Sequence, residues 1–244
     1  MNKTKLFCFP HAGGSAFSYS KWKNYFNPQI EVVPIELAGR GYRIEESLYQ
    51  SMEEAVNDVY NSIVKQLDNS PYILYGHSMG SLIAYELARK IQDSNNVLPE
   101  FLVLSGRNHP NSKIKNIRHN LPDEQFKNEV IAMGGTSSKV FQSEELLEIF
   151  LPILRADFKI VETYIHDYNM KACDVDFLIL NGKDDEFTTY EEVKKWVQYT
   201  NKMCTFHSFE GQHFFLHETI EEIVSIITRK LDSQKSLIYV EYNG

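Results

Sequence analysis

The chain has 244 residues, 43% hydrophobic and 24% charged, an ordinary balance for a globular protein large enough to bury a core without disulfides or metals. A net charge of −8 with no lysine or arginine cluster argues against nucleic-acid binding, and the scattered Cys8, Cys173 and Cys204 lack C-x-x-C or zinc spacing, so reduced thiols are expected. No signal-peptide core opens the sequence and no apolar run approaches the roughly 20 residues of a membrane helix, so a soluble, cytoplasmic protein without membrane contact is expected.

In chain order, residues 6–9 (LFCF) read as a short strand ending at Pro10, followed by the small-residue loop His11-Ala12-Gly13-Gly14-Ser15. Residues 30–35 form a second strand, and LAGRGYR at 37–43 a glycine-rich loop. Apolar residues at helical spacing predict a helix over 51–67, with Ser51 and Glu54 as its capping box. The strand 71–75 (PYILY), the pentapeptide Gly76-His77-Ser78-Met79-Gly80, a helix-period run at 82–91 and the strand 101–104 follow. Further on come a strand at 175–180, a helix from 189 to about 199 opened by Thr189 and Glu192, a strand at 203–209 and a helix at roughly 219–231. The tail 232–244 lacks helical period and is expected to be peripheral. Strands that read as continuous apolar runs and alternate with helices indicate an α/β fold with a mostly parallel sheet covered on both faces.

Residues 107–170 interrupt this alternation with two helical patterns, at 123–133 and from 144 to about 166, and no convincing strand. An insertion between two strands, above the carboxyl edge of the sheet, is where a lid over a ligand site belongs; the alternative is extra packing. The expected organisation is a single domain over 1–244 with a lid insertion at about 107–170.

Gly76-His77-Ser78-Met79-Gly80 is G-x-S-x-G between a strand and a helix, the context of a nucleophile elbow. Ser78 needs a base to take its proton and a carboxylate to orient that base, in the chain order serine, acid, histidine. Asp185, third after Gly182, is the preferred acid, with Asp184 as the alternative. His213, in the loop after the strand at 203–209, is preferred to His207 within the strand and His217 near the last helix. His109, His119 and His166 read as ordinary surface residues. An oxyanion needs preorganised N–H donors, expected from Met79 and, in the early small-residue loop, Ala12. His11 and His77 flank those donors and read as structural. Neither GGSAFS nor Gly182-Lys183 completes a phosphate-binding motif, and Asp184-Asp185-Glu186 lacks cation-loop spacing, so no metal is expected.

These motifs together resemble the type II thioesterases of nonribosomal peptide and polyketide synthases, which have the α/β-hydrolase fold. CFPHAGG, LAGRGYR and YGHSMGS match the family's two early loops and its elbow; NGKDDEF and EGQHFFL carry the acid and base. LPDEQF at 121–126 and LPILRADF at 151–158 resemble its lid helices and separate it from general hydrolases. Ala38 departs from the proline common before Gly-Arg. The resemblance implies hydrolysis of acyl thioesters on the phosphopantetheine arm of a carrier protein, with no cofactor in this chain; a monomer is expected. The alternatives are an esterase or acyltransferase using small acyl donors such as acyl-CoA, and a non-catalytic binding module on the same fold.

Overall fold

The structure is a computed structural model that describes residues 3–67, 70–134 and 143–241. Among these residues six strands form one sheet: β1 (Thr4–Phe9), β2 (Ile30–Pro34), β3 (Tyr72–His77), β4 (Phe101–Ser105), β5 (Asp176–Gly182) and β6 (Cys204–Phe209), in the spatial order β2-β1-β3-β4-β5-β6. Every pairing is parallel. The register pairs Phe9 with Gly76, His77 with Ser105 and Gly182 with Phe209, which aligns the carboxyl ends of β1, β3, β4, β5 and β6 along one edge. The loops carrying Ala12, Ser78, Asp185 and His213 all leave from that edge.

Among the described residues six α-helices accompany the sheet: α1 (Met52–Val64), α2 (Met79–Asp93), α3 (Asp123–Met133), α4 (Glu144–Glu162), α5 (Tyr190–Val193) and α6 (Ile220–Glu241). Strand side chains alternate between two cores. Phe7, Leu74, Leu102 and Ile179 pack with α1 and α2, whereas Leu6, Ile73, Val103 and Leu178 pack with α6 and with Tyr19 and Trp22. Burial on both faces explains why these strands read as unbroken apolar runs. Cys8 and Cys173 are buried free thiols, and Cys204 is half-buried. Among the described residues, no helix is long and apolar enough to cross a membrane.

Three boundaries differ from expectation. Helix α6 continues through 232–241, because no glycine or proline interrupts it there and Gln234 ties it to the Glu100 carbonyl at 3.1 Å. Residues 242–244 lie outside the described residues. The helix expected to 199 is α-helical only to Val193 and then tightens into a 3₁₀ turn to Tyr199, in which buried Trp196 donates to the Arg107 carbonyl at 2.9 Å. Helix α4 stops at Glu162 rather than near 166, where the Thr163 backbone N–H and hydroxyl both bond back to the Lys159 carbonyl.

Candidate active site

Ser78 sits between β3 and α2 with φ +55° and ψ −112°, a conformation rare for a residue with a side chain. Its N–H donates to the Ser105 carbonyl at 2.8 Å, and the Ser81 hydroxyl lies 2.8 Å from both the Gly76 and Ser105 carbonyls. The turn is tight enough to exclude side chains on either side. A Cβ on Gly76 would lie 2.0 Å from the Gly80 carbonyl oxygen, and one on Gly80 would lie 2.1 Å from that of Phe9. Backbone stands in both places, so the two glycines are steric requirements of the turn.

The 183–187 and 210–213 loops are joined through their main chains. Lys183 N–H donates to the Phe209 carbonyl at 2.9 Å, and Asp184 N–H to that of Gly211 at 3.0 Å. Gly182 makes room for the approach, since a Cβ there would meet the Gln212 carbonyl at 2.5 Å. With its backbone held this way, Asp184 is exposed and Asp185 is buried. One Asp185 oxygen accepts from Phe187 N–H at 2.9 Å, and the other lies 2.8 Å from His213 Nδ1. An ionised carboxylate only accepts, so Nδ1 carries the hydrogen and Nε2 is left with its lone pair. His207 lies half-buried on β6, and His217 is exposed.

Ala12 belongs to a loop whose other polar main-chain groups are largely committed. Gly14 N–H donates to the His11 carbonyl at 2.9 Å, and Gly13 N–H donates to Asp157 on α4 at 2.7 Å. Met79 is the first residue of α2, where a helix leaves its N–H groups without intrahelical acceptors. Ala12, Ser78, Met79 and His213 line one cavity of about 890 Å³. Leu154 and Phe158 of α4 close it from above, and Gly106 and Arg107 bound it past β4.

The surrounding histidines stay neutral near neutral pH. Burial, with repulsion from His217, His213 and Arg40, pulls His11 down to about 3. Burial beside His213 and His11 also holds His77 well below the usual imidazole range. Among the described residues, no cluster of three or more histidine, cysteine or carboxylate side chains could hold a metal ion.

The two insertion motifs, on α3 and α4, pack on each other. Phe126 and Phe158 meet edge to face at 5.3 Å, and Val130 and Leu154 complete a small apolar cluster. Arg155 donates to the His119 and Leu121 carbonyls at 2.6 and 2.8 Å and pairs with Asp123 at 2.5 Å. Two insertion histidines read as surface residues are buried instead. His109 is held by Tyr199 and Glu192, and His166 sits beside Tyr164, Glu86 and Arg89. Both are enclosed by elements distant in sequence, which composition within the insertion does not reveal. Two residues that support the site carried no role in the sequence reading: Arg40 and Asp157. Both lie inside motifs recognised by resemblance, LAGRGYR and LPILRADF.

Comparison with known proteins follows the same lines. A thioesterase-domain family profile matches residues 4–231. Gramicidin S biosynthesis protein GrsT of Aneurinibacillus migulanus is 37% identical over 230 residues, covering 94% of this chain and 89% of that protein. The crystal structure of ClbQ from the colibactin NRPS/PKS pathway is similar with a TM-score of 0.91 at 32% identity, covering 97% of this chain and 100% of that one. A serine-to-alanine variant of YbtT, a type II thioesterase from the yersiniabactin NRPS/PKS pathway, is similar with a TM-score of 0.84 at 26% identity, over 94% of this chain and 93% of that one. The chain belongs to the thioesterase family, and the relatives it resembles include type II thioesterases of nonribosomal peptide and polyketide synthase pathways.

Proposed function

We propose that this protein hydrolyses acyl and aminoacyl thioesters held on the phosphopantetheine arms of carrier protein domains, clearing misprimed or stalled groups from a peptide or polyketide synthase. The observation that carries the reading is the buried Asp185–His213 pair, 2.8 Å apart, with His213 facing the same cavity as the strained Ser78. The family supplies the thioester, and the pathways named for its relatives supply the carrier. That a serine was the residue replaced in the YbtT variant is consistent with a serine nucleophile there.

In this mechanism His213 Nε2 takes the Ser78 hydroxyl proton as Oγ attacks the thioester carbonyl. Asp185 holds the imidazole in its tautomer and stabilises the imidazolium that forms. The N–H groups of Met79 and Ala12 receive the oxyanion. Collapse breaks the C–S bond, and the pantetheine thiolate leaves with the proton from His213. Water then gives one proton to His213 and attacks the acyl-serine; His213 returns that proton to Ser78, and the acid product is released and loses its own proton to solvent. The reaction needs no cofactor of this chain, because the thiol arm belongs to the partner.

The test compares hydrolysis of a butyryl-carrier protein, butyryl-CoA and a simple butyryl ester by the wild type and Ser78→Ala. The carrier substrate should be turned over with the highest kcat/KM, and Ser78→Ala should abolish turnover while remaining folded. Preference for the CoA or the ester overturns carrier specificity, and an active Ser78→Ala overturns the nucleophile assignment.

A further inference from the structure

Asp157 and Arg40 form the most deeply buried arginine–carboxylate pair in the described structure, their side chains 2% and 4% exposed. The guanidinium grips the carboxylate with both terminal nitrogens, at 2.6 and 2.7 Å. Burial opposes the Arg40 charge, but Asp157 more than offsets this and raises its pKa above the usual arginine value. What distinguishes the pair is where its remaining contacts go. Asp157 also accepts the Gly13 N–H at 2.7 Å, and Arg40 donates to the Gly14 carbonyl at 3.1 Å. The Leu154 side chain, one helical turn before Asp157, occupies the space a Cβ on Gly13 would need, 2.3 Å from its Cδ2. Gly13 holds φ +75°, so the loop turns there in a way that few other residues allow.

The loop is thus gripped at the two residues that follow Ala12, by an ion pair joining the 37–43 loop to the lid helix. A charge-assisted hydrogen bond to an oriented carboxylate fixes a peptide plane more firmly than a neutral one. We propose that Arg40 and Asp157 are positioning residues for the oxyanion loop: with α4 seated, they hold the Gly13 and Gly14 peptides so that the Ala12 N–H faces the cavity. Neither touches the substrate. Seating of the lid helix and competence of the oxyanion site are therefore one event, and a displaced α4 leaves the loop without its anchor. The inference rests on the reading of Ser78 and Ala12 given above.

Three variants test it: Arg40→Lys, Asp157→Asn, and the double change Arg40→Met with Asp157→Leu. Apolar replacement of a whole buried pair is commonly tolerated, so the double variant keeps the packing and removes only the anchor. The readouts are kcat and KM on butyryl-pantetheine, inhibition by a butyl trifluoromethyl ketone that forms a tetrahedral adduct, binding of the unreactive butyl-pantetheine thioether, and thermal denaturation. The double variant should lose on the order of 10²-fold in kcat and comparably in ketone affinity, as for loss of an oxyanion donor. KM and thioether binding should stay within about threefold, because ground-state contacts are untouched. Asp157→Asn should fall between, and Arg40→Lys, which keeps the Asp157 acceptor for Gly13, should retain most activity. A folded double variant with wild-type kcat and ketone affinity overturns the proposal, and so does failure of all three variants to fold, which would make the pair a structural staple alone. A wild type that neither turns over butyryl-pantetheine nor is labelled at Ser78 by a fluorophosphonate overturns the functional reading instead.

Discussion

At the scale of the residue, Ser78 carries a local backbone cost. A side chain held at φ +55° is strained by about 1–3 kcal/mol, and glycine relieves most of that. Ser78→Gly and Ser78→Ala should both be inactive, but the glycine variant should be more stable than the alanine variant by about 1 kcal/mol in urea denaturation. Equal stabilities would mean that the turn is not strained. The acid can be separated from its neighbour in the same way. Asp185→Asn should lower kcat by about 10⁴-fold, because a misoriented imidazole is a poor base, whereas exposed Asp184→Asn should stay within about twofold. His11 supplies a pH dependence. Its folded value of about 3 lies below the unfolded 6.5, so its contribution is complete above pH 6.5. As pH falls, the unfolded chain takes up the proton that the native state refuses, so stability drops between 6.5 and 3. By pH 5 the loss should be about 2 kcal/mol, and His11→Leu should flatten that part of the stability curve.

At the scale of the element, the strand–elbow–helix unit from β3 to α2 is the part most dependent on glycine. Gly80→Ala places a methyl against the Phe9 main chain rather than a movable side chain, so it should cost more than the roughly 1–3 kcal/mol usual for overpacking. A thermal midpoint within two degrees of wild type would show that β1 and α2 can separate without penalty. This unit was legible in the sequence because its signals are local: an apolar run, two glycines bracketing a serine, then helical spacing. The pairing of Asp185 with His213 was legible for a related reason, since each follows a buried-type strand at its carboxyl end. The choice between Asp184 and Asp185 became physical only with the main-chain bonds from Lys183 and Asp184 to the neighbouring loop. Helix α6 ran past its expected end because fading amphipathic period is no stop signal where glycine and proline are absent. The Arg40–Asp157 pair was not legible at all. Its partners lie 117 residues apart, and neither side chain differs in kind from an ordinary solvated charge until the fold brings them together.

At the scale of the whole molecule, the insertion between β4 and β5 packs both beside the cavity and into the core, and the two parts meet on α4. On one side of that helix Leu154 and Phe158 join Phe126 and Val130 of α3 in an apolar cluster beside the cavity. On the other, Asp157 accepts the Gly13 N–H and fully buried Ile160 belongs to the main core with α1 and α2. A lid that could be removed without consequence would have no such residues. Replacing α3 and its flanks, residues 122–142, with a short Gly/Ser linker should therefore leave a folded enzyme. Losing the buried Phe126 and Val130 contacts costs roughly 1.5–3 kcal/mol each, a fall of several degrees in the thermal midpoint of a chain this size. The opened cavity should accept longer acyl chains, read as a change in the ratio of kcat/KM for octanoyl- and acetyl-pantetheine. Removing all of 107–170 should instead abolish cooperative unfolding, because it strips Ile160 from the core and leaves Arg40 buried without its carboxylate. If the full deletion melts like wild type, α4 is only a cover. If the shorter one already unfolds, the whole insertion is core, and substrate selection must lie in the walls of the cavity below it.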